Sequence, residues 1–284
     1  MPEGPEVESV RQELLPLIKN RVKQIQLTPL SQKYPKYQNK QPTFEPFRET
    51  ILKEIYRYGK FLVWCFDGTE MVILNHLGMS GKWCFYEDMT TSQSDVTHPK
   101  VIIQMESPPH LIFNDTRNFG QFRVFGTYDE VMKYPPIKSL GIDGLEIPFP
   151  LDEFISRIRT KRYDEKIIGE LLLNQRLVAG VGNIYKSEAL FQAKINPLRK
   201  VKTLSKKDLK QLGLAISEVM QKALKDLGSS IDSLYTLPSG ESGNAQLWHN
   251  VYGRKGKQCN ICESEIKKIT QKERSTFFCS KCQQ

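Results

Sequence analysis

Four cysteines stand within the last 26 residues of the 284-residue chain, as CNIC at 259–262 and CSKC at 279–282. Two Cys-x2-Cys pairs separated by sixteen residues have the spacing of a structural zinc site. Four thiolates at tetrahedral angles saturate the ion, so Cys259, Cys262, Cys279 and Cys282 would hold one structural Zn2+ and leave no position open for catalysis. The other reading of this spacing is two disulfides, which suits a secreted chain better than an intracellular one. The intervening ESEIKKITQKERSTFF reads as a β-hairpin joining the two pairs. Arg274 falls near its tip or second strand, where a guanidinium can grip a phosphate bidentately.

At the other end, MPEGPEVESV places Glu3 and Glu6 about one helical turn apart behind a proline at position 2. Taken alone, two carboxylates there are first-turn acids favoured by the helix dipole. Val7, Val10, Leu14, Leu17 and Ile18 recur at helical spacing and predict an amphipathic helix from 5 to about 19. Pro5 suits its first turn and Pro16 kinks or ends it.

The elements that must position these groups change character along the chain. From about 21 to 130, short runs such as KFLVWCF, EMVILNHL, KVIIQM and FRVFGTY are rich in β-branched and aromatic residues and predict a β-sandwich or barrel. Cys65 and Cys84, inside apolar segments, are expected as core thiols. KYPPIKSLGIDGLEIPFPL is the natural linker. Beyond it LDEFISRIRT, IIGELLLNQ, IYKSEALFQAKI and SKKDLKQLGLAISEVMQKALKDL carry helical periodicity. The polar, glycine-rich stretch over about 228–247 is an exposed loop of a length that tends to be functional or disordered.

Lysine and arginine number 41 against 32 acids, a net charge of +9, which suits a polyanionic partner. No stretch approaches the roughly 20 apolar residues of a membrane-spanning helix, and no signal peptide opens the chain. Clustered cysteines and these absences fit an intracellular setting.

Four stretches together resemble the family of formamidopyrimidine-DNA glycosylases and endonuclease VIII: PEGPEVE at 2–8, HLGMSG at 76–81, AGVGNIYKSEALF at 179–191, and VYGRKGKQCNIC with RSTFFCSKC within 251–282. LGIDGLE and DTRNFG at 115–120 also resemble family segments, so the likeness runs nearly end to end. The resemblance implies an α+β architecture: an N-terminal helix and β-sandwich over 1–133 and a linker over 134–150. A helix–two-turn–helix domain with a base-capping loop then covers 151–250, and a zinc β-hairpin covers 251–284.

It further implies a bifunctional DNA glycosylase and abasic-site lyase of base excision repair, acting on damaged double-stranded DNA as a monomer. Met1 is removed, and the nitrogen of Pro2 attacks C1′ of the sugar. An N-terminal amine titrates near neutrality, and a secondary amine gives an iminium, an electron sink that expels the base and promotes elimination. Glu3 matches the acid that protonates the opening sugar ring, which calls for a raised pKa, expected once DNA binding buries it. Lys60 matches a lysine that contacts phosphates flanking the lesion and assists β-elimination, and Arg274 one that grips phosphates and assists δ-elimination. Glu6, His76, His98 and Asn183 match DNA-contacting positions, Asn183 at a helix start where free N–H groups also favour an anion.

Extruding a base leaves a hole in the stack. Met79, Arg117 and Phe119 match three residues that fill it: a flexible apolar plug, a guanidinium for the orphaned base and an aromatic wedge. The helical segment and the full plug lean toward oxidised purines such as 8-oxoguanine and formamidopyrimidines. The 228–247 loop keeps oxidised pyrimidines open. A scaffold that binds DNA without catalysis, or a zinc-ribbon RNA or translation factor, would share the charge and cysteines. The first would lack part of the set Pro2, Glu3, Lys60 and Arg274, and the second would not explain the amino terminus.

Overall fold

The computed structural model describes residues 2–31, 33–34, 44–88, 96–231 and 235–284; Met1 and the 232–234 part of the proposed capping loop lie outside them. Helix α1 (Gly4–Leu14) is shorter than its periodicity suggests, because Pro16 tightens the chain into a 3-10 turn over Leu15–Leu17. Val7, Val10 and Leu14 form its buried stripe.

Eight antiparallel strands follow: β1 (Val22–Leu27), β2 (Ile51–Tyr58), β3 (Phe61–Asp67), β4 (Val72–His76), β5 (Gly81–Tyr86), β6 (Pro99–Met105), β7 (His110–Asp115) and β8 (Gln121–Phe125). They form two four-stranded sheets, β1-β6-β7-β5 and β2-β3-β4-β8, as expected for a sandwich. Trp64 of β3 and Trp83 of β5 meet across the sheets with ring centroids 5.2 Å apart, and Phe113 and Phe122 close around Trp83. The buried Trp83 indole donates to Asn75 Oδ1 at 3.0 Å, which satisfies its one polar atom.

Strand alternation corrects the expectation for the lone cysteines. Leu62, Trp64 and Phe66 point into the core, so Cys65 between them faces the other way and is only half-buried. Cys84 is likewise half-buried. Burial still pushes the Cys65 thiol up to about 11, leaving it protonated at neutral pH.

Helices α2 (Tyr128–Lys133) and α3 (Pro135–Lys138) follow, then β9 (Ile142–Asp143), α4 (Leu151–Ile158) and α5 (Ile168–Leu171). Next come β10 (Val178–Ala179), which pairs in parallel with β9, α6 (Asn183–Gln192) and α7 (Lys206–Lys225). Helix α7 starts at a complete capping box, Ser205 with Asp208, and buries Leu209, Leu212, Ile216, Val219 and Met220. The chain ends in the hairpin β11 (Ile266–Gln271) and β12 (Arg274–Cys279).

By internal contact the residues form two units: Pro2, Glu6–Lys138 and Leu227–Asn244 in the first, and Glu3–Pro5, Ser139–Asp226 and Ala245–Gln284 in the second. Among the described residues no helix is long and apolar enough to cross a membrane.

Candidate functional site

In the first unit, strand register gathers the candidates at one end of the sandwich. Phe61 pairs with His76 and His76 with Gln121, so the β2–β3 turn, the end of β4 and the start of β8 share that end. The two-residue β2–β3 turn is Gly59–Lys60, with Gly59 at φ 57° as such a tight turn requires. Lys60 is 8% exposed, although a lysine at a hairpin tip is ordinarily solvated. His76 Nδ1 accepts the Gly78 N–H at 3.0 Å, which puts the proton of a neutral ring on Nε2.

Met79 lies on the turn after β4, and Arg117 and Phe119 on the turn between β7 and β8. The two turns are pinned together. Asp115, fully buried, accepts Ser80 Oγ at 2.7 Å and the Gly120 N–H at 2.7 Å, and Ser80 Oγ accepts the Arg117 N–H at 3.0 Å. Gly78 sits at φ +69°, and a Cβ there would lie 2.4 Å from the Phe119 carbonyl carbon, so only glycine permits this approach. The Arg117 guanidinium stacks over the Phe119 ring at 5.4 Å, and Phe119 is 44% exposed. His98 is exposed, and its carbonyl accepts the Asp115 N–H at 3.0 Å, placing it at the same end.

Pro2 is buried. Glu6 differs from the expectation of a group facing DNA: it is 1% exposed, and its Oε1 accepts the Ser229 N–H at 2.8 Å. Gly228, at φ +81°, is packed so closely that a Cβ would lie 2.7 Å from the Glu6 side chain. Tyr235 donates to the Glu6 and Leu227 carbonyls at 3.3 and 3.0 Å. Glu6 therefore fastens the segment that carries the 228–247 loop to α1.

In the second unit the candidates meet at the start of α6. That helix opens at Gly182 with no side-chain cap of its own. Glu3 supplies the cap: Oε2 accepts the Gly182 and Tyr185 N–H groups at 2.9 and 3.3 Å, and Oε1 accepts the Ile184 N–H at 2.9 Å. These are the donors that the sequence offered to a phosphate at Asn183, and a carboxylate of the same chain occupies them instead. Asn183 keeps its side chain at the site, donating from Nδ2 to the Ser275 carbonyl of β12. Arg274, beside Ser275, is exposed and follows a two-residue turn in which Lys272 and Glu273 take φ 47° and 61°.

The four hairpin cysteines converge as spacing predicts. Their ligand atoms all lie within 4.8 Å of one another, with Cys259 and Cys282 sulfurs 3.9 Å apart and Cys262 and Cys279 sulfurs 3.4 Å apart. Sulfurs about 2.3 Å from a tetrahedral ion stand roughly 3.8 Å from each other, so the set fits a metal ion. All four are free thiols at separations well beyond an S–S bond, unlike the disulfide reading. The Ile261 and Cys282 N–H groups reach the Cys259 and Cys279 sulfurs at 3.5 Å.

Two charged residues of α6 were missed as parts of this site. Glu188 is 1% exposed and accepts the N–H groups of Asn250, Val251 and Tyr252 at 2.8–3.0 Å, tying the helix to the strand of chain before the first cysteine pair. Burial pushes its carboxyl above the usual range, against hydrogen bonds that favour the anion. Lys186 is also wholly buried. The signal was legible: two charges stand inside IYKSEALF, a run whose other residues are mostly apolar or small.

Comparison with known proteins places these features in a lineage. The profile of the Formamidopyrimidine-DNA glycosylase N-terminal domain matches residues 1–122, and that of the Formamidopyrimidine-DNA glycosylase H2TH domain matches residues 140–234. The Formamidopyrimidine-DNA glycosylase of Wolbachia sp. subsp. Drosophila simulans (strain wRi) is 34% identical over 284 residues, 100% of each chain. A mutant Fpg of Lactococcus lactis, solved with a Fapy-dG containing DNA, aligns with TM-score 0.86 at 33% identity over 100% of both chains. The wild-type Lactococcus lactis Fpg (MutM), solved with an oxidized pyrimidine containing DNA, gives TM-score 0.85 at 32% identity over 100% of both. This chain belongs to the formamidopyrimidine-DNA glycosylase family.

Proposed function

We propose that the chain is a bifunctional DNA glycosylase and abasic-site lyase of base excision repair that removes oxidised bases from damaged double-stranded DNA, oxidised purines foremost. The observation that carries this reading is the full-length relation to formamidopyrimidine-DNA glycosylases, 34% identity across 284 residues, in a chain with proline at position 2 and glutamate at 3.

Removal of Met1 turns the Pro2 nitrogen from an amide into a secondary amine. Its lone pair attacks C1′, while Glu3 gives a proton to the sugar ring oxygen as that C–O bond opens. The N–C1′ bond to the base breaks with its electrons and a proton on the base, leaving an iminium on Pro2. A base takes a proton from C2′, and the C–H electrons pass into the iminium to give an enamine. Their return expels the 3′ phosphate with its C–O electrons, and a second elimination expels the 5′ phosphate. Water then hydrolyses the imine and frees Pro2. Lys60 and Arg274 hold the two phosphates, Asn183, His76 and His98 contact the backbone, and Met79, Arg117 and Phe119 fill the vacated stack.

One Zn2+ on Cys259, Cys262, Cys279 and Cys282 supplies structure to the hairpin that presents Arg274 and takes no part in proton transfer. The protein acts as a monomer inside the cell, and the net charge of +9 on its chain suits a polyanionic duplex.

Oxidised pyrimidines are the second reading, favoured by the complex of the 32%-identical Lactococcus lactis protein with an oxidized pyrimidine containing DNA. Incubation with duplexes carrying 8-oxoguanine, thymine glycol or an abasic site, in the presence of borohydride, tests both. A cross-link through Pro2 is expected, fastest with 8-oxoguanine. Binding without any trapped product, by protein sequenced to begin at Pro2, removes the enzyme reading.

A further inference from the structure

Lys186 is 0% exposed, yet its neighbours are not those of a buried ion pair. Its Nζ donates to Asn183 Oδ1 at 2.7 Å and to Thr276 Oγ1 at 2.6 Å. Both acceptors are neutral, and no carboxylate of the described residues lies within ion-pair distance. A buried ammonium without an anion is costly. Burial is the main cause that pulls the group down to about 8, Arg274 lowers it further, and Glu3 and Glu170 oppose that fall. Glu3 faces it from the N-terminal segment, Glu170 from α5 and Arg274 from β12.

The two acceptors indicate what the charge serves. Asn183 is the first residue of α6, and its Nδ2 is bonded to Ser275. Thr276 follows Arg274 by two places on β12, and its hydroxyl passes the chain on to Gln271 Oε1 at 2.8 Å. One ammonium thus sets which way the Asn183 carboxamide points and fastens the hairpin strand that carries Arg274.

We propose that Lys186 is a positioning residue for the DNA backbone: it orients Asn183 and places a buried positive charge behind a phosphate gripped by Asn183 and Arg274. The inference rests on the reading that the chain binds DNA. A phosphate is the anion that this ammonium lacks. Its arrival favours the charged form, so duplex binding takes up a proton at Lys186. With the free group near 8 and the bound one charged throughout, affinity falls about tenfold from pH 7 to pH 9.

The probe is a duplex carrying a tetrahydrofuran abasic analogue, which binds without reacting. Kd is measured at fixed salt from pH 7 to 9 for the wild type, K186M and T276V. K186M keeps the aliphatic stem without the charge. It should bind several-fold more weakly at pH 7 and show a flatter profile, the part that remains belonging to the Pro2 amine. T276V keeps the lysine but removes one acceptor, so its profile should shift to lower pH, and it serves if K186M does not fold. Duplex binding with the same pH profile in wild type and T276V, or in wild type and K186M, overturns the role of Lys186. No binding to any duplex by the wild type overturns the DNA reading instead.

Discussion

Glu3 and Gly182 lie 179 positions apart in the chain, and the carboxylate of one caps the helix that begins at the other, 2.9 Å from its N–H. A Cβ on Gly182 would fall 2.3 Å from the Glu3 carboxyl carbon, so the acid and the glycine specify each other. Gly182→Ala should therefore displace Glu3, lowering stability by about 1–3 kcal/mol and cutting base excision by more than the loss of folded protein explains. Thermal unfolding and single-turnover excision by the same preparation check this.

Glu3→Gln tests the acid from the other side. The amide NH2 must face at least one backbone N–H of α6, which costs roughly 1–3 kcal/mol for the unpaired donor. Excision of an oxidised base should be lost, while strand cleavage at a pre-formed abasic site survives in part. Unimpaired excision would show that another group protonates the sugar.

The proposed plug residues allow function to be separated from folding. Arg117 and Phe119 are exposed and Met79 is only half-buried. Alanine at Arg117 or Phe119 should change stability by no more than about 0.5 kcal/mol. Excision from duplex should fall markedly, and far less from single-stranded DNA, where no stack needs filling. Equal losses on both substrates would assign these residues another task.

His249 makes acid sensitivity measurable. It is 4% exposed, its Nε2 has no hydrogen-bond partner among the described residues, and burial holds it down to about 4. The unfolded chain, with His near its ordinary 6.5, binds more protons between those values, so stability falls as pH drops from 6.5 to 4. The loss at this residue amounts to about 3 kcal/mol. Denaturant unfolding of wild type and His249→Phe across that window should show a shallower decline in the variant.

Chelation should remove one zinc per chain and unfold the hairpin, because its own small core of Val251, Ile266 and Phe277 is too slight to stand alone. DNA affinity should drop along with Arg274, and the sandwich signal in circular dichroism should remain. Full duplex affinity in metal-free protein would detach the hairpin from DNA binding.

Much of this was legible because periodicity and spacing are local. Strand runs, the break at Pro16 and the cysteine pairs each declare themselves within a few residues. What stayed hidden is long-range pairing. Nothing near Glu3 marks it as the cap of a helix 179 positions away, nor Glu6 as the anchor of Ser229, 223 positions on. Cys65 was misplaced for a related reason: apolar company in sequence does not say which face of a strand points inward.

The Glu3 cap also imposes an order on synthesis. Glu3 leaves the ribosome among the first residues, while Gly182, Ile184 and Tyr185, which fix its carboxylate, emerge 179 to 182 residues later. Until then the acid next to Pro2 has no fixed bearing. On the proposed roles, a nascent chain can shed its methionine long before Glu3 is fixed, and Arg274 with the second cysteine pair follows only in the last eleven residues.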